Sequence, residues 1–160
     1  MKLSYPSPVA NLQAASAVPQ LLRGKVTFAA GTTGAIAQHT VFTITGMVEF
    51  SFYARCLSDL TSGGAATISY GNAGAVTLFT GALVFSTVDV GDFIIPWIST
   101  LQDTATIAEA SITPMVSTGT DITADILAAT ITGGSIEYIL LWTPLSAGAT
   151  VALGSELVSS

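Results

Sequence analysis

Charged residues are scarce in this sequence: they make up 9% of its 160 residues, against roughly 25% in ordinary soluble domains. Half of the residues are hydrophobic. The length suits one domain with a substantial core. A monomer with so few charges would expose much apolar surface, so we expect either a membrane or neighbouring subunits to cover part of it.

Basic residues are especially few, and the net charge is −6. Only Lys2, Arg23, Lys25 and Arg55 carry a positive charge. A protein that binds nucleic acid needs lysine and arginine clustered on one surface, where they neutralise phosphates. The sequence therefore predicts no nucleic-acid partner.

Long apolar runs are missing as well. The longest stretch without charge covers residues 60–88, and glycines divide it into pieces shorter than the roughly 20 residues of a membrane-spanning helix. At the N-terminus, Pro6 and Pro8 follow Lys2 without an apolar signal region. We therefore expect no membrane partner, and a soluble protein that is made in the cytoplasm without processing.

Cysteine and histidine occur once each. The single Cys56 excludes an internal disulfide and a cysteine-built metal site, and we interpret it as a small core hydrophobe rather than a nucleophile. His39, in a predicted loop before a strand, would need a nucleophile and an orienting partner to act as a catalytic base. No such set is visible, so the sequence predicts neither an enzyme nor a cofactor.

What the sequence does contain is period-2 alternation, which is typical of β-strands. Residues 47–57 are the clearest case, and residues 135–143 form the last long predicted strand. The first of these puts Val48, Phe50, Phe52, Ala54 and Cys56 on one face and Glu49, Ser51, Tyr53 and Arg55 on the other. The second puts Ile136, Tyr138, Leu140 and Trp142 on one face and Glu137, Ile139 and Leu141 on the other.

Further strands are predicted between glycine-rich turns such as residues 62–64 and 132–134. They cover residues 24–30, 66–70, 75–80, 83–87, 92–99, 111–115 and 125–132, with one helical turn around 100–110. Short strands at this spacing indicate an all-β fold, an antiparallel β-sandwich with jelly roll as the favoured arrangement. We assign residues 21–160 to the sandwich and residues 1–20 to an extended N-terminal arm.

Several strands are apolar on both faces, although the outer face of a sandwich strand is usually polar. An outer face of this kind predicts a homo-oligomer interface, and the arm is expected to rest on a neighbouring subunit because such arms are disordered in monomers. The predicted interface residues are Tyr5, Pro6, Pro8, Tyr53, Arg55, Trp97, Ile139 and Leu141. We also expect Arg55 to pair with Glu49 or Glu137, either across strands or across a subunit interface, while Trp142 is assigned to the core.

The acidic residues give a weaker signal for a metal site. The densest groups are Asp89, Asp92 and Asp103, then Asp121 and Asp125. Neither spacing matches a calcium-binding EF-hand loop, and aspartates in turns usually accept backbone N–H bonds. We therefore predict no metal.

Four segments resemble small virion proteins of tailed bacteriophages. They are FTITGMVEFSFYARC from residue 42, ATISYGNA from residue 66, STVDVG from residue 86 and GGSIEYILLWTPLSAGA from residue 133. The resemblance covers roughly residues 40–150. It implies a capsid decoration (cement) protein on the capsid surface of the virion, a trimer that contacts the major capsid protein and is synthesised in the host cytoplasm.

Two other functions stay open at this point. A tail or fibre component, or a carbohydrate-binding β-sandwich for host attachment, would need exposed aromatic side chains, for which Tyr70, Asn72 and Trp97 are the hints. A hydrolase on a β scaffold is disfavoured because the sequence shows no catalytic set.

Overall fold

The computed structural model describes residues 18–84, 88–95 and 114–160, and every element within these ranges is a β-strand. The strands are β1 (Gln20–Thr27), β2 (Gln38–Thr45), β3 (Val48–Ser62), β4 (Thr67–Asn72), β5 (Ala75–Val84), β6 (Phe93–Ile94), β7 (Met115–Ser117), β8 (Ile122–Leu127), β9 (Ile131–Pro144), β10 (Thr150–Leu153) and β11 (Val158–Ser159). The predicted all-β class is confirmed.

The strands form two antiparallel sheets that pack together as a β-sandwich. Sheet A has the order β11-β1-β9-β3-β6, with β7 also paired to β3, and sheet B has the order β10-β2-β8-β4-β5. Strands at increasing separation along the chain are paired: β4 with β5, β3 with both β6 and β7, β2 with β8, and β1 with β9. The first two strands of the chain thus pair with strands from its last part, and β4 pairs with β5 in the middle.

Aromatic side chains fill the centre of the sandwich. The Phe52 ring centroid lies 5.6 Å from that of Tyr70, 6.2 Å from those of Phe42 and Phe79, and 6.3 Å from that of Tyr138. These rings come from strands of both sheets, so they join the two layers directly. Offset and edge-on contacts of this kind add about 0.5–1.5 kcal/mol per pair beyond the burial of area.

The alternation predicted for the two long strands is confirmed. In β3 the residues Val48, Phe52, Ala54 and Cys56 are completely buried, and in β9 the predicted core residue Trp142 is buried as well. These two strands are neighbours in sheet A, a position that the sequence pattern did not predict.

Other strand predictions were wrong in their bounds. The predicted strands 75–80 and 83–87 are one strand, β5, within the described residues, and the predicted strand 125–132 is the end of β8 followed by the start of β9. The strand predicted at 24–30 begins earlier, at Gln20, and Ala30 is exposed rather than part of the core face. Strands β2, β10 and β11 were not predicted.

The predicted turn at 132–134 instead lies within β9. Here Gly134 has a φ of +97°, a conformation that side chains with a Cβ rarely adopt, and its Cα faces Asp59 and Leu60 of β3. The register between β3 and β9 shifts at this point. The two glycines therefore produce a β-bulge in a continuous strand rather than a chain reversal.

Some predictions fall wholly or partly outside the described residues. These are most of the arm, the helical turn at 100–110, and most of the strands at 92–99 and 111–115, of which the structure describes β6 and the beginning of β7. In the part of the chain that is described, no helix is long and apolar enough to span a membrane.

Candidate interface for assembly

The outer face of sheet A carries an exposed apolar row. Leu21 of β1 lies directly opposite Leu141 of β9, and Ser51 of β3 continues the row. The leucines are 61% and 46% exposed, and Val116 of β7, on the same face, is 60% exposed. Three large aliphatic side chains are therefore exposed to solvent on one face of the sheet, and such a surface is typical of a protein–protein interface.

The next row combines a buried residue with long side chains. Ile139 of β9 lies between its register partners Arg23 and Tyr53 and is only 5% exposed. Of the two β9 residues predicted for the interface, Leu141 is therefore open to a partner, whereas Ile139 is already covered within the single chain.

A charged row follows, in which Glu137 lies between its register partners Lys25 and Arg55. The carboxylate of Glu137 is buried, and it accepts a hydrogen bond of 2.9 Å from Arg23 Nη2 and another of 2.9 Å from Ser160 Oγ. Both carboxylate oxygens thus have donors, as a buried charge requires.

Within the single chain, Arg55 does not form the pairing across strands that was expected. Glu137 pairs with Arg23 instead, and the Arg55 guanidinium carbon lies 5.7 Å from the centre of the Phe93 ring. The physical reason is that Arg23 reaches Glu137 diagonally from β1, while the register puts Phe93 beside Arg55 on its other side. Glu49, the other partner considered, lies exposed opposite Thr143.

A groove lies beside the apolar row. It has a volume of about 150 Å³ and is lined by Pro19, Glu49, Phe50, Ser51, Pro114, Leu141 and Thr143. The groove lies next to Leu141 and continues the apolar surface toward the end of the sheet. A partner could insert a side chain into this groove.

Sequence reasoning missed Leu21 and Val116, which belong to the same face as Leu141. Leu21 lay next to the boundary with the assumed arm, although Leu21, Arg23 and Lys25 alternate with Leu22, Gly24 and Val26. Starting the alternation four residues earlier would have identified the face. For Val116 no pattern was available, because β7 has only three residues.

The buried Cys56 supports the structural interpretation of this residue. Burial raises the pKa of its thiol to about 11, and the neighbouring Asp59 carboxylate contributes in the same direction. The thiol donates a hydrogen bond of 3.3 Å to the Ser58 carbonyl oxygen. A neutral, enclosed thiol is a poor nucleophile.

His39 lies in β2 and not in the predicted loop. Its Nδ1 is 2.7 Å from Glu156 Oε2 and its Nε2 is 3.0 Å from the Ala35 carbonyl oxygen. Both ring nitrogens thus have a polar neighbour within hydrogen-bond distance. The ring ties β2 to the segment between β10 and β11.

The aspartates accept backbone hydrogen bonds. Asp92 Oδ2 accepts one from the Asp89 N–H at 2.9 Å, and Asp121 Oδ1 accepts one from the Ile44 N–H at 2.9 Å. Asp125 lies on β8, and Asp103 is outside the described residues. Among the residues that are described, no three histidine, cysteine or acidic side chains gather where they could hold a metal ion.

Two of the residues that suggested a glycan site are engaged within the fold. Tyr70 is completely buried in the core and cannot stack on a sugar, and the Asn72 side chain accepts hydrogen bonds from Gly74 and Ala75 in the β4–β5 turn.

The predicted interface residues Tyr5, Pro6, Pro8 and Trp97 lie outside the described residues.

Comparison with known proteins gives a distant structural likeness. No family model matches the chain, and no curated protein matches it. Its fold is similar to a chain of the cyanophage Pam1 capsid asymmetric unit, with 15% sequence identity and a TM-score of 0.42 over 90% of this chain and 94% of that chain.

Proposed function

We propose that this chain is a virion structural protein of a bacteriophage, which assembles into a homo-oligomer through the outer face of sheet A. The observation that carries the proposal is the exposed row of Leu21 and Leu141, with Val116 on the same face. Because each of these side chains is already partly buried, covering the rest of one stabilises a complex by roughly 1 kcal/mol before the costs of association. The low charge of the chain agrees with a surface that is covered in the working state.

Within the virion, the proposed role is that of a capsid decoration protein, a trimer that bridges neighbouring capsomers and contacts the major capsid protein. The support is the sequence resemblance to small phage virion proteins. Several weak contacts to the shell would then add up through avidity. The chain performs no catalysis in this proposal, in keeping with the buried Cys56 and with a His39 that bridges two acceptors.

The strand order supports the jelly-roll version of the sandwich. A jelly roll contains eight strands in two sheets, and here β1, β9, β3 and the β6–β7 position form one layer, while β2, β8, β4 and β5 form the other. Strands β10 and β11 extend one side of each layer.

The test of assembly is the mass of the protein in solution. Leu21→Asn with Leu141→Asn should shift the chain toward the monomer, measured by sedimentation velocity over a concentration series. The matched control is Leu127→Asn, which changes a leucine of similar exposure (42%) on β8 of sheet B. A monomeric parent protein at all concentrations would refute the assembly role.

The test of location is labelling of intact particles with an antibody against this chain. Label spread over the head supports the decoration role, whereas label confined to the tail supports a fibre or tail component.

Host attachment is the second candidate. A cavity of about 300 Å³ near the β4–β5 turn is lined by Asn72, Thr118, Thr120 and Asp121 together with apolar residues. Hydroxyl, amide and carboxylate groups around a space of this size suit a single sugar ring. Binding of the isolated protein to a glycan array, abolished by Thr120→Val, would favour this function.

A further inference from the structure

Charge is divided unevenly over this molecule. The outer face of sheet A carries three of the four basic residues, Arg23, Lys25 and Arg55, together with Glu49 and Glu137. Three cations against two carboxylates give this face a charge of +1. Because the whole chain has a net charge of −6, the remainder carries −7. The face with the exposed leucines is therefore the cationic part of an acidic protein.

An acidic corner projects at one edge of the same sheet, and we define it as Asp59, Asp89 and Asp92. The backbone N–H of Val90 donates a hydrogen bond of 3.1 Å to Asp59 Oδ1, and the N–H of Asp89 donates one of 2.9 Å to Asp92 Oδ2. These bonds hold Val90 at the tip, 57% exposed between acidic side chains. The acidic corner thus combines an exposed apolar side chain with negative charge. The outer face of sheet A combines exposed leucines with positive charge, so the two surfaces are complementary.

The position of the corner determines what it can reach. It precedes β6, at the edge of sheet A opposite β1 and β11, so that β3 and β9 separate it from Lys25 in the same chain. The acidic corner of a second copy can approach Lys25 directly. Two copies that packed with their sheet A faces together would join two surfaces of net positive charge, whereas the acidic corner of a second copy is complementary in charge to this face.

We propose that the outer face of sheet A binds the acidic corner of a second copy of this chain. Val90 of one copy packs between Leu21 and Leu141 of the next, and Asp89 faces Lys25. This inference rests on the proposed function, because it specifies the partner surface for the same face. Such a contact joins two different surfaces, so repetition gives a closed ring when the rotation closes and an open filament when it does not.

The test uses two charge reversals, Lys25→Glu and Asp89→Lys. In sedimentation velocity at low salt, each is expected to weaken self-association about tenfold, since each puts like charges at the contact. The double variant exchanges the two charges, and its association constant should return to within about threefold of the parent value. The control is Asp125→Lys on β8 of sheet B, which changes the net charge as Asp89→Lys does and should leave association unchanged.

Several outcomes decide the matter. If Asp89→Lys assembles like the parent protein, or if the double variant is no better than either single variant, the acidic corner is not the partner surface, although assembly itself still stands. If the parent protein is monomeric throughout, both this inference and the proposed function are refuted. Unchanged circular dichroism and melting temperatures show that each variant is folded, and added salt should weaken the parent contact.

Discussion

Glu137 and Arg23 form an ion pair of 2.9 Å in which the carboxylate is buried and the guanidinium is partly exposed. The pair connects β9 to β1, and Ser160 adds the C-terminal end of the chain to the same carboxylate. Three segments that are distant in sequence thus meet at one buried charge on the outer face of sheet A.

This pair leads to the first prediction. Arg23→Met should destabilise the fold by about 1–2 kcal/mol, because it removes a charged donor from a buried carboxylate. Urea unfolding followed by circular dichroism measures the change. The control is Arg55→Met, which removes a cation over the Phe93 ring and should cost about 0.5–1 kcal/mol. Equal effects of the two variants would contradict the special role of Arg23.

The second prediction concerns the bulge in β9. Gly134→Ala should destabilise the protein by about 1–3 kcal/mol, because the residue has a φ of +97° and its new Cβ would meet Leu60. Thermal unfolding provides the measurement. Gly63→Ala is the matched control, since a Cβ there meets no atom within 4 Å, and it should change stability little.

The third prediction is a loss of stability at alkaline pH. Burial raises the pKa of Cys56, Tyr70 and Tyr138. The unfolded chain therefore releases these protons at lower pH than the folded one, and stability falls as the pH rises above about 9. The thiol, with a folded pKa of about 11, would account for about 2 kcal/mol by pH 10.5. A free energy of unfolding that stays constant between pH 8 and pH 10.5 would contradict this.

The fourth prediction concerns thiol reactivity. Native protein should react with a maleimide at pH 8 at least about a hundredfold more slowly than protein in urea, because Cys56 is enclosed and neutral. The comparison variant combines Cys56→Ala with Leu127→Cys, which moves the thiol to an exposed position on sheet B and should label rapidly. Rapid labelling of native Cys56 would show that the core opens often.

Alternation was sufficient to predict the two central strands of sheet A. In β3 and β9 one face is buried against sheet B, so every second residue had to be apolar, and the sequence records this directly. The all-β class followed from the same signal. The order of the strands did not, because pairings such as β1 with β9 join residues that are far apart in sequence.

The predicted strand bounds were wrong at glycines, because glycine occurs both in turns and within bulged strands. Gly133 and Gly134 allow a bulge as readily as a turn, and only the approach of Asp59 and Leu60 distinguishes these cases. Strand β5 likewise continues past Gly81, because β4 pairs with Thr80 before it and with Leu83 after it, and the register shifts between them. These outcomes depend on neighbours that the local sequence does not contain.

The candidate site was predicted in part. Tyr53, Arg55 and Leu141 lie on the outer face of sheet A, as their alternation required. The exposure of Leu21 and the pairing of Arg23 with Glu137 could not be predicted, since both depend on the register between β1 and β9. The acidic corner exists only because Asp59 and the loop before β6 meet in space.

The pairing of early strands with late ones also determines when the outer face of sheet A can form during synthesis. Leu21 and Leu141 become neighbours only when β9 has left the ribosome and paired with β1. Contacts between such distant residues slow folding, because a long loop must close before they form. A nascent chain therefore lacks the paired leucines of the outer face of sheet A until its last long strand has been made.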